Sequence, residues 1–71
     1  MKTIQAWIAK DMDDTTWLFL SKPIRGKAQW LTSACRYLYR LDSSDYPDIK
    51  WADKESTEVE ITIKAKQYEN N

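Results

Sequence analysis

The segment "TEVEITIKAK" near the end of the chain narrows the possible folds more than any other stretch. Its apolar residues recur at every second position, so that Val59, Ile61 and Ile63 share one side of an extended chain and the acids share the other. This period of two, with β-branched residues on one side, is typical of an antiparallel strand with one buried face. We therefore predict a strand over residues 57–66.

The N-terminal part of the chain predicts a β-hairpin. The stretches "TIQAWIAK" and "TTWLFLS" alternate in the same way and predict strands over residues 3–9 and 15–20. Both strands carry apolar residues on both faces, because Trp7 lies on the face opposite to Ile4 and Ile8. The second face must be covered either by another part of the chain, which we favour, or by a partner.

The acid-rich connection "DMDD" between these strands is either a cation-binding loop or a turn. With Asp11 as the first residue of an EF-hand loop, position 5 requires an acid, position 6 a glycine and position 12 a glutamate. These positions hold Thr15, Thr16 and Lys22. Aspartate tolerates positive φ and hydrogen-bonds to its own backbone in turns. The segment therefore predicts a hairpin turn and no metal site.

The middle of the chain leaves two structures open. The stretch "KAQWLTSACRYLYRL" has no glycine or proline and fits a helix, but it fits equally two strands joined by a turn near Ser33. The aromatic content of "RYLYRL" favours strands. Beside it, "SKPIRGK" predicts a loop, Asp42 or Ser43 predicts the cap of a single helical turn, and residues 49–51 predict a short edge strand.

Together these elements predict a single small domain over residues 1–71 with a polar tail from about residue 67. The fold class is mainly β, with an antiparallel sheet of four to five strands and one short helical turn near residues 43–46. The alternative is an α+β fold with a helix at residues 27–40. The expected core consists of apolar strand residues closed at one end by two aromatic residues: Ile4, Ile8, Leu18, Leu20, Leu38, Val59, Ile61 and Ile63, with Tyr46 and Trp51.

The composition excludes several kinds of chemistry. One cysteine and no histidine exclude the usual zinc, haem and Cys–His sites, and a single glycine cannot build a phosphate-binding loop. We expect no cofactor, no metal and no enzymatic activity. The longest apolar run is too short for a membrane span or a secretory signal, so we expect a cytoplasmic protein.

The charges are segregated although the formal net charge is zero. Residues 21–40 carry basic side chains and no acid, whereas residues 41–60 are mostly acidic. These segments either neutralise each other on the surface or form a recognition surface. Arginine and aromatic residues are enriched in protein interfaces. The candidate partner-binding residues are Trp30, Arg36, Arg40 and Trp7.

These observations favour a non-enzymatic protein that binds another protein, and self-association is also open. The alternative is a small nucleic-acid-binding protein, because the basic segment contains aromatic residues for base stacking. If "RYLYRL" is a strand, however, its arginines and its tyrosines lie on opposite faces, which argues against this alternative.

Two stretches of the chain resemble a family of small uncharacterised proteins from gut Bacteroidetes and their phages and mobile elements. The stretch "AWIAKDMDDTTWLFLSKP" resembles the family pattern W-I-A-R-D-x-D-G-x-L-Y-L-F followed by K-P, and "LDSSDYPDIKWADKESTEVEI" resembles L-P-x-x-L-F-P-x-V-x-W-E-(N/D) followed by x-x-P-x-x-V-E-L. Residues 24–40 are not covered. The matching residues are Trp7, Ile8, Ala9, Asp11, Asp13, Leu18, Phe19, Pro23, Leu41, Pro47, Trp51, Asp53, Val59 and Glu60.

The departures from this pattern bear on the turn. Asp14 stands where the family has glycine, so the resemblance implies a positive φ at this position, and an aspartate there costs about 1 kcal/mol relative to glycine. The resemblance implies no activity. Its phage-like setting makes an inhibitor or modulator of a host or defence protein the concrete expectation.

Overall fold

The computed structural model describes residues 2–32 and 39–65 of the 71-residue chain. The predicted fold class is confirmed: the described residues form a four-stranded antiparallel sheet, a two-stranded sheet and a single short 3-10 turn. In chain order the elements are β1 (Lys2–Lys10), β2 (Thr16–Phe19), β3 (Ile24–Arg25), β4 (Trp30–Leu31), β5 (Tyr39–Leu41), the 3-10 turn (Ser43–Asp45) and β6 (Thr57–Ile63).

The large sheet has the strand order β5-β2-β1-β6, and β3 and β4 form the small one. The predicted N-terminal hairpin and C-terminal strand are both present, and their register is fixed by pairs such as Ile8 with Leu18 and Ile4 with Ile61. Residues paired across antiparallel strands lie on the same face of the sheet. What we call the aliphatic face carries Ile4, Ala6, Ile8, Leu18, Val59 and Ile61, and what we call the aromatic face carries Trp7, Ala9, Trp17, Phe19, Arg40, Glu58 and Glu60.

The chain itself covers the aromatic face, as we expected. Ala9 and Phe19 form a buried cluster with Trp30 of β4, and three partly buried tryptophans pack against this cluster: Trp7, Trp17 and Trp51. All four tryptophans of the chain therefore contribute to one aromatic assembly. Aromatic side chains bury about 150–250 Å² each, which compensates for the small size of the domain.

The short structural elements differ from the predictions at two places. The predicted loop "SKPIRGK" contains β3, and residues 49–51 form turns where we predicted an edge strand. Here the backbone groups bond locally, because Ile49 N–H donates to Tyr46 O and Asp53 N–H donates to Lys50 O. Backbone groups used in this way are not available for a ladder.

The middle segment contains strands where it is described. Residues 27–29 are bends followed by β4, so the helix at residues 27–40 is wrong over these positions. The strands β4 and β5 fall within the two predicted segments, but β4 pairs with β3 and β5 pairs with β2. Ser33, Arg36 and Leu38 lie outside the described residues, as does the polar tail.

The predicted helical turn is confirmed, and Asp42 is its cap. Ser44 N–H donates to Asp42 Oδ1 at 3.0 Å. The Ser43 hydroxyl lies 2.7 Å from the hydroxyl of Thr16, which fixes the turn against the start of β2. Within residues 2–32 and 39–65, no helix is long and apolar enough to cross a membrane.

The core differs in part from the expected one. Ile8 is buried, and five of the expected strand residues are half-buried: Ile4, Leu18, Leu20, Val59 and Ile61. Ile63 is 48% exposed, so its assignment to the core is wrong. It pairs with Lys2 at the open end of the sheet, on the outermost strand, where no further strand among the described residues covers it.

Candidate functional site

The acid-rich segment is a turn whose three carboxylates bond to separate protein groups. Asp14 has a φ of 75°, the positive value implied at this position, and its N–H donates to Asp11 O. The carboxylate of Asp14 pairs with Lys10 at 3.2 Å, and that of Asp13 accepts from Thr15. No group of three or more potential metal ligands occurs among the described residues.

Asp11 is a buried carboxylate that joins this turn to β4. The residue is 9% exposed, and its Oδ1 accepts a 2.8 Å hydrogen bond from Trp30 N–H. Burial raises the pKa of Asp11, the hydrogen bond from Trp30 opposes that rise, and the charge of Asp13 adds to it. A second bond, from Trp30 Nε1–H to Lys10 O at 3.1 Å, holds the indole ring in place.

These bonds leave a groove between β2 and β4 on the aromatic face, which we call the aromatic groove. Its volume is about 210 Å³. Three aromatic side chains line it together with one aliphatic and three polar ones: Trp17, Phe19 and Trp30, with Leu31, and with Asp11, Gln29 and Thr32. The groove is therefore largely apolar, with polar groups that are able to orient a bound chain.

The Trp17 indole in this groove is held by a chain of hydrogen bonds. Its Nε1–H donates to Thr15 Oγ1 at 3.0 Å, and that hydroxyl donates to Asp13 Oδ1 at 2.6 Å. The hydrogen bonds from the Thr15 hydroxyl and backbone N–H lower the pKa of Asp13. The carboxylate that anchors the chain thus stays ionised near neutral pH. The groove wall is preorganised before any partner arrives.

An exposed apolar pair borders the groove. Leu31, which lines it, is 50% exposed, and its partner across the small sheet, Ile24, is 73% exposed. The hairpin that carries them turns at Gly26, whose N–H donates to Gln29 O. A Cβ atom at Gly26 would lie 2.7 Å from that carbonyl oxygen, so the close turn requires glycine.

Arg40 supplies a positive charge beside the groove. It pairs with Trp17 between β5 and β2, so its side chain is on the aromatic face, where it is exposed. Arg40 also contributes to the low pKa of Asp13, after the hydrogen bonds from Thr15. It forms no ion pair with any acid of the described residues.

The structure brings some of the predicted binding residues together. Arg40 is paired with Trp17, which lines the aromatic groove, and Trp7 is half-buried on the same face, opposite Phe19. Trp30 is only 6% exposed, so it forms the wall of the groove and is not a freely exposed contact residue. Arg36 lies outside the described residues.

Trp17, Ile24 and Leu31 are site residues that we did not predict from the sequence. The signal for Trp17 was present, because it shares one side of its strand with Phe19 in a strand that is apolar on both faces. No local pattern marks Ile24 and Leu31, because β3 and β4 are only two residues long each.

Comparison of the chain with protein-family models, with curated proteins and with solved structures finds no match. The resemblance to the small proteins of gut Bacteroidetes therefore stays a prediction.

Proposed function

We propose that this protein is a non-enzymatic protein-binding module whose aromatic groove receives an apolar side chain of a partner protein. The observation that carries the proposal is the apolar groove of about 210 Å³, bordered by the exposed pair Ile24 and Leu31. Exposed apolar surface continuous with an apolar groove is a common feature of protein interaction sites.

The size of the groove supports a side chain as the occupant. Pockets for drug-sized ligands have volumes of about 300–1,000 Å³, which is more than this groove offers. A cavity of about 150 Å³ already holds a benzene molecule. The aromatic groove therefore has room for one large aliphatic or aromatic side chain, and the rest of the partner would lie across Ile24 and Leu31.

The charges around the groove support a partner that carries an acid next to this apolar side chain. Arg40 is exposed beside Trp17 and has no ion-pair partner among the described acids. An arginine next to an aromatic anchor is a frequent combination at the centre of protein interfaces. A carboxylate of the partner would form a charge-assisted hydrogen bond with the guanidinium group.

The juxtaposition of Arg40 and Trp17 is also what a nucleic-acid site requires, but the surrounding charges favour a protein. Asp11 lines the groove, and Glu58 and Glu60 are exposed on the same face. Non-specific nucleic-acid binding depends on several cationic contacts to phosphates, and these acids oppose it. The resemblance described above adds a concrete partner class, a host or defence protein that would be inhibited or modulated.

Affinity capture from a host lysate tests the proposal when wild type is compared with two surface variants. Leu31→Ser removes apolar contact at the groove and Arg40→Glu reverses the adjacent charge; both residues are exposed, so both variants are expected to stay folded. Lys2→Glu is the matched control, because Lys2 is an exposed residue on the opposite face. Thermal melts verify the fold of all four proteins.

The proposal predicts a partner that is captured by wild type and by Lys2→Glu and is reduced at least about ten-fold with either groove variant, the change expected from losing a contact near the centre of an interface. A partner retained equally by all variants would place the interface elsewhere, for example at Trp7. Binding to generic oligonucleotides at about 150 mM salt that disappears in Arg40→Glu would establish the nucleic-acid function instead.

A further inference from the structure

The strand β6 ends the large sheet, and its outer edge has no partner within the described residues. It pairs with β1 over seven residues, and the sheet order places nothing beyond it. Proteins usually protect such edges with charged side chains, above all lysine, or with proline, a bulge or a very short strand. The sequence "TEVEITI" contains neither proline nor lysine, and its two glutamates are both on the aromatic face, so no charge of the strand protects the aliphatic face. The strand is also longer than every described strand except β1.

An apolar stripe on the aliphatic face runs along this edge. Val59 and Ile61 are half-buried, and Ile63 is the exposed residue of the stripe. Exposed apolar residues beside an unpaired edge are covered when a further strand joins the sheet.

The residues of β6 complement a second copy of the same strand in one antiparallel register. When Ile61 pairs with itself across a two-fold axis, Val59 pairs with Ile63 on the aliphatic face. On the aromatic face, Glu58 pairs with Lys64 and Glu60 pairs with Thr62. In this register the apolar residues of the aliphatic face pair with one another, and each glutamate faces a lysine or a threonine. Apolar pairs and pairs of opposite charge stabilise antiparallel strands.

The neighbouring symmetric registers are less favourable. The register centred on Thr62 opposes no like charges, since it pairs Glu60 with Lys64 and Ile61 with Ile63, but only residues 61–63 of β6 then lie opposite each other, against residues 59–63 in the proposed register. Centring the pair on Glu60 places two carboxylates directly opposite each other, and centring it on Val59 pairs Glu58 with Glu60 twice. Like charges in directly opposed positions are destabilising. A shift by a single residue would exchange the two faces of the incoming strand and bring apolar residues to the polar side.

We propose that the β6 edge is a homodimerisation surface, at which two copies pair antiparallel around Ile61 and extend the sheet to eight strands. The dimer covers Ile63 of each copy with Val59 of the other. Two symmetric Glu58–Lys64 contacts fix the register. Neither Glu58 nor Lys64 forms an ion pair among the described residues of its own copy. They are about 20 Å apart along one strand, so any direct contact between them is between copies.

Charge reversal at these two positions tests the dimer in the full chain. Sedimentation equilibrium from about 10 µM to about 1 mM measures the dimer dissociation constant, a range that suits a small interface. Glu58→Lys alone and Lys64→Glu alone are each expected to raise the dissociation constant about ten-fold, because each places like charges opposite each other twice. The double variant Glu58→Lys/Lys64→Glu is expected to restore it.

Glu60→Gln is the register control, because this residue faces Thr62 in the proposed pairing. We expect no change of the dissociation constant in this variant, whereas the register centred on Glu60 predicts tighter association. A wild-type protein that stays monomeric up to about 1 mM would overturn the proposal, as would a double variant that is no better than the single ones. Glu58 and Glu60 are on the strand furthest from β5, Lys64 directly follows that strand, and none of the three lines the aromatic groove, so the result is independent of the groove.

Discussion

Replacing Asp11 by alanine tests whether one buried carboxylate holds the two sheets together. Its Oδ1 accepts the 2.8 Å hydrogen bond from Trp30 N–H, a direct link between the β1–β2 turn and β4. Around it, Met12 N–H donates to Ala28 O at 3.0 Å, and this bond depends on the same arrangement of the two turns. Without the carboxylate, the Trp30 N–H loses its partner.

The magnitude follows from the burial of this donor. A buried N–H without a partner costs about 1–3 kcal/mol, and removing the charged acceptor relieves part of the desolvation that the carboxylate suffers in the folded protein. We expect Asp11→Ala to lower the free energy of unfolding by about 1–3 kcal/mol, a large part of the stability of a domain this small. Asp11→Asn keeps an acceptor oxygen in place and is expected to lose less than half as much.

Urea unfolding followed by tryptophan fluorescence measures both variants, because all four tryptophans belong to the aromatic assembly. The urea concentration at the midpoint reports the change in the free energy of unfolding, provided that the dependence of this free energy on urea concentration is the same in all variants. Asp13→Ala is the control, since this exposed carboxylate bonds to the neighbouring Thr15 and to no other element. Our reasoning fails if Asp11→Ala unfolds at the wild-type midpoint, or if the asparagine variant is as unstable as the alanine variant.

Three further predictions concern pH, the core and the turn. Because burial raises the pKa of Asp11, the folded state binds a proton at this site more readily than the unfolded state. The contribution of this site to stability is therefore full below the ordinary pKa of aspartate, about 4, and is lost as the pH rises through the raised pKa of the folded state. The stability of Asp11→Asn relative to wild type, measured by urea unfolding, is therefore expected to be higher at pH 7 than at pH 3. Phe19 is 2% exposed, so Phe19→Ala is expected to lower the free energy of unfolding by about 3–5 kcal/mol. Glu60 is exposed, so Glu60→Ala is expected to change it by less than about 0.5 kcal/mol. Thermal melts in which Glu60→Ala is the less stable variant would contradict the register of the strands. Asp14→Gly removes the strain of the positive φ and is expected to raise the free energy of unfolding by up to about 1 kcal/mol. Two effects oppose this gain: the loss of the ion pair with Lys10 and the greater entropy of the unfolded chain with glycine. A melting temperature below that of wild type would show that these two effects are larger than the strain.

The parts of the fold that depend on local pattern were predictable from the sequence. The alternation in β1, β2 and β6 is a direct consequence of the side-chain period of a strand, and it gave both the hairpin and the C-terminal strand. The turn was equally local, because aspartates in a short connection favour positive φ and short-range hydrogen bonds, as seen at Asp14 and Asp13.

The small sheet was not predictable, because contacts between distant residues create it. The strands β3 and β4 are too short to show a period, and β4 is held by the bond from Trp30 N–H to Asp11, 19 positions earlier in the chain. Because β4 covers the aromatic face, Phe19 is the most buried large side chain, and the core is centred on the aromatic face. The alternation of the strands alone favours a core on the aliphatic face.

The same reason explains how much of the candidate site was predictable. Charge segregation and aromatic content indicated Arg40 and Trp30 from the sequence. Trp30 lines the aromatic groove, and Arg40 is paired with Trp17, which also lines it. Their roles differ, since Arg40 is exposed and Trp30 is a wall, and burial of this kind depends on the packing of the small sheet. The exposed pair Ile24 and Leu31 becomes a surface feature only when β3 and β4 pair.

The most direct test of the central claim is whether the aromatic groove binds an apolar side chain. A titration of the ¹⁵N-labelled protein with N-acetyl-phenylalanine amide, followed by two-dimensional NMR, reports binding at each backbone N–H and at each indole N–H. A probe of this size is expected to bind at about millimolar concentration. We expect shifts at the Trp17 and Trp30 indoles and at the Leu31 amide, and we expect them to be lost in Leu31→Ser. Shifts confined to Trp7, or an unperturbed groove at saturating probe, would contradict it.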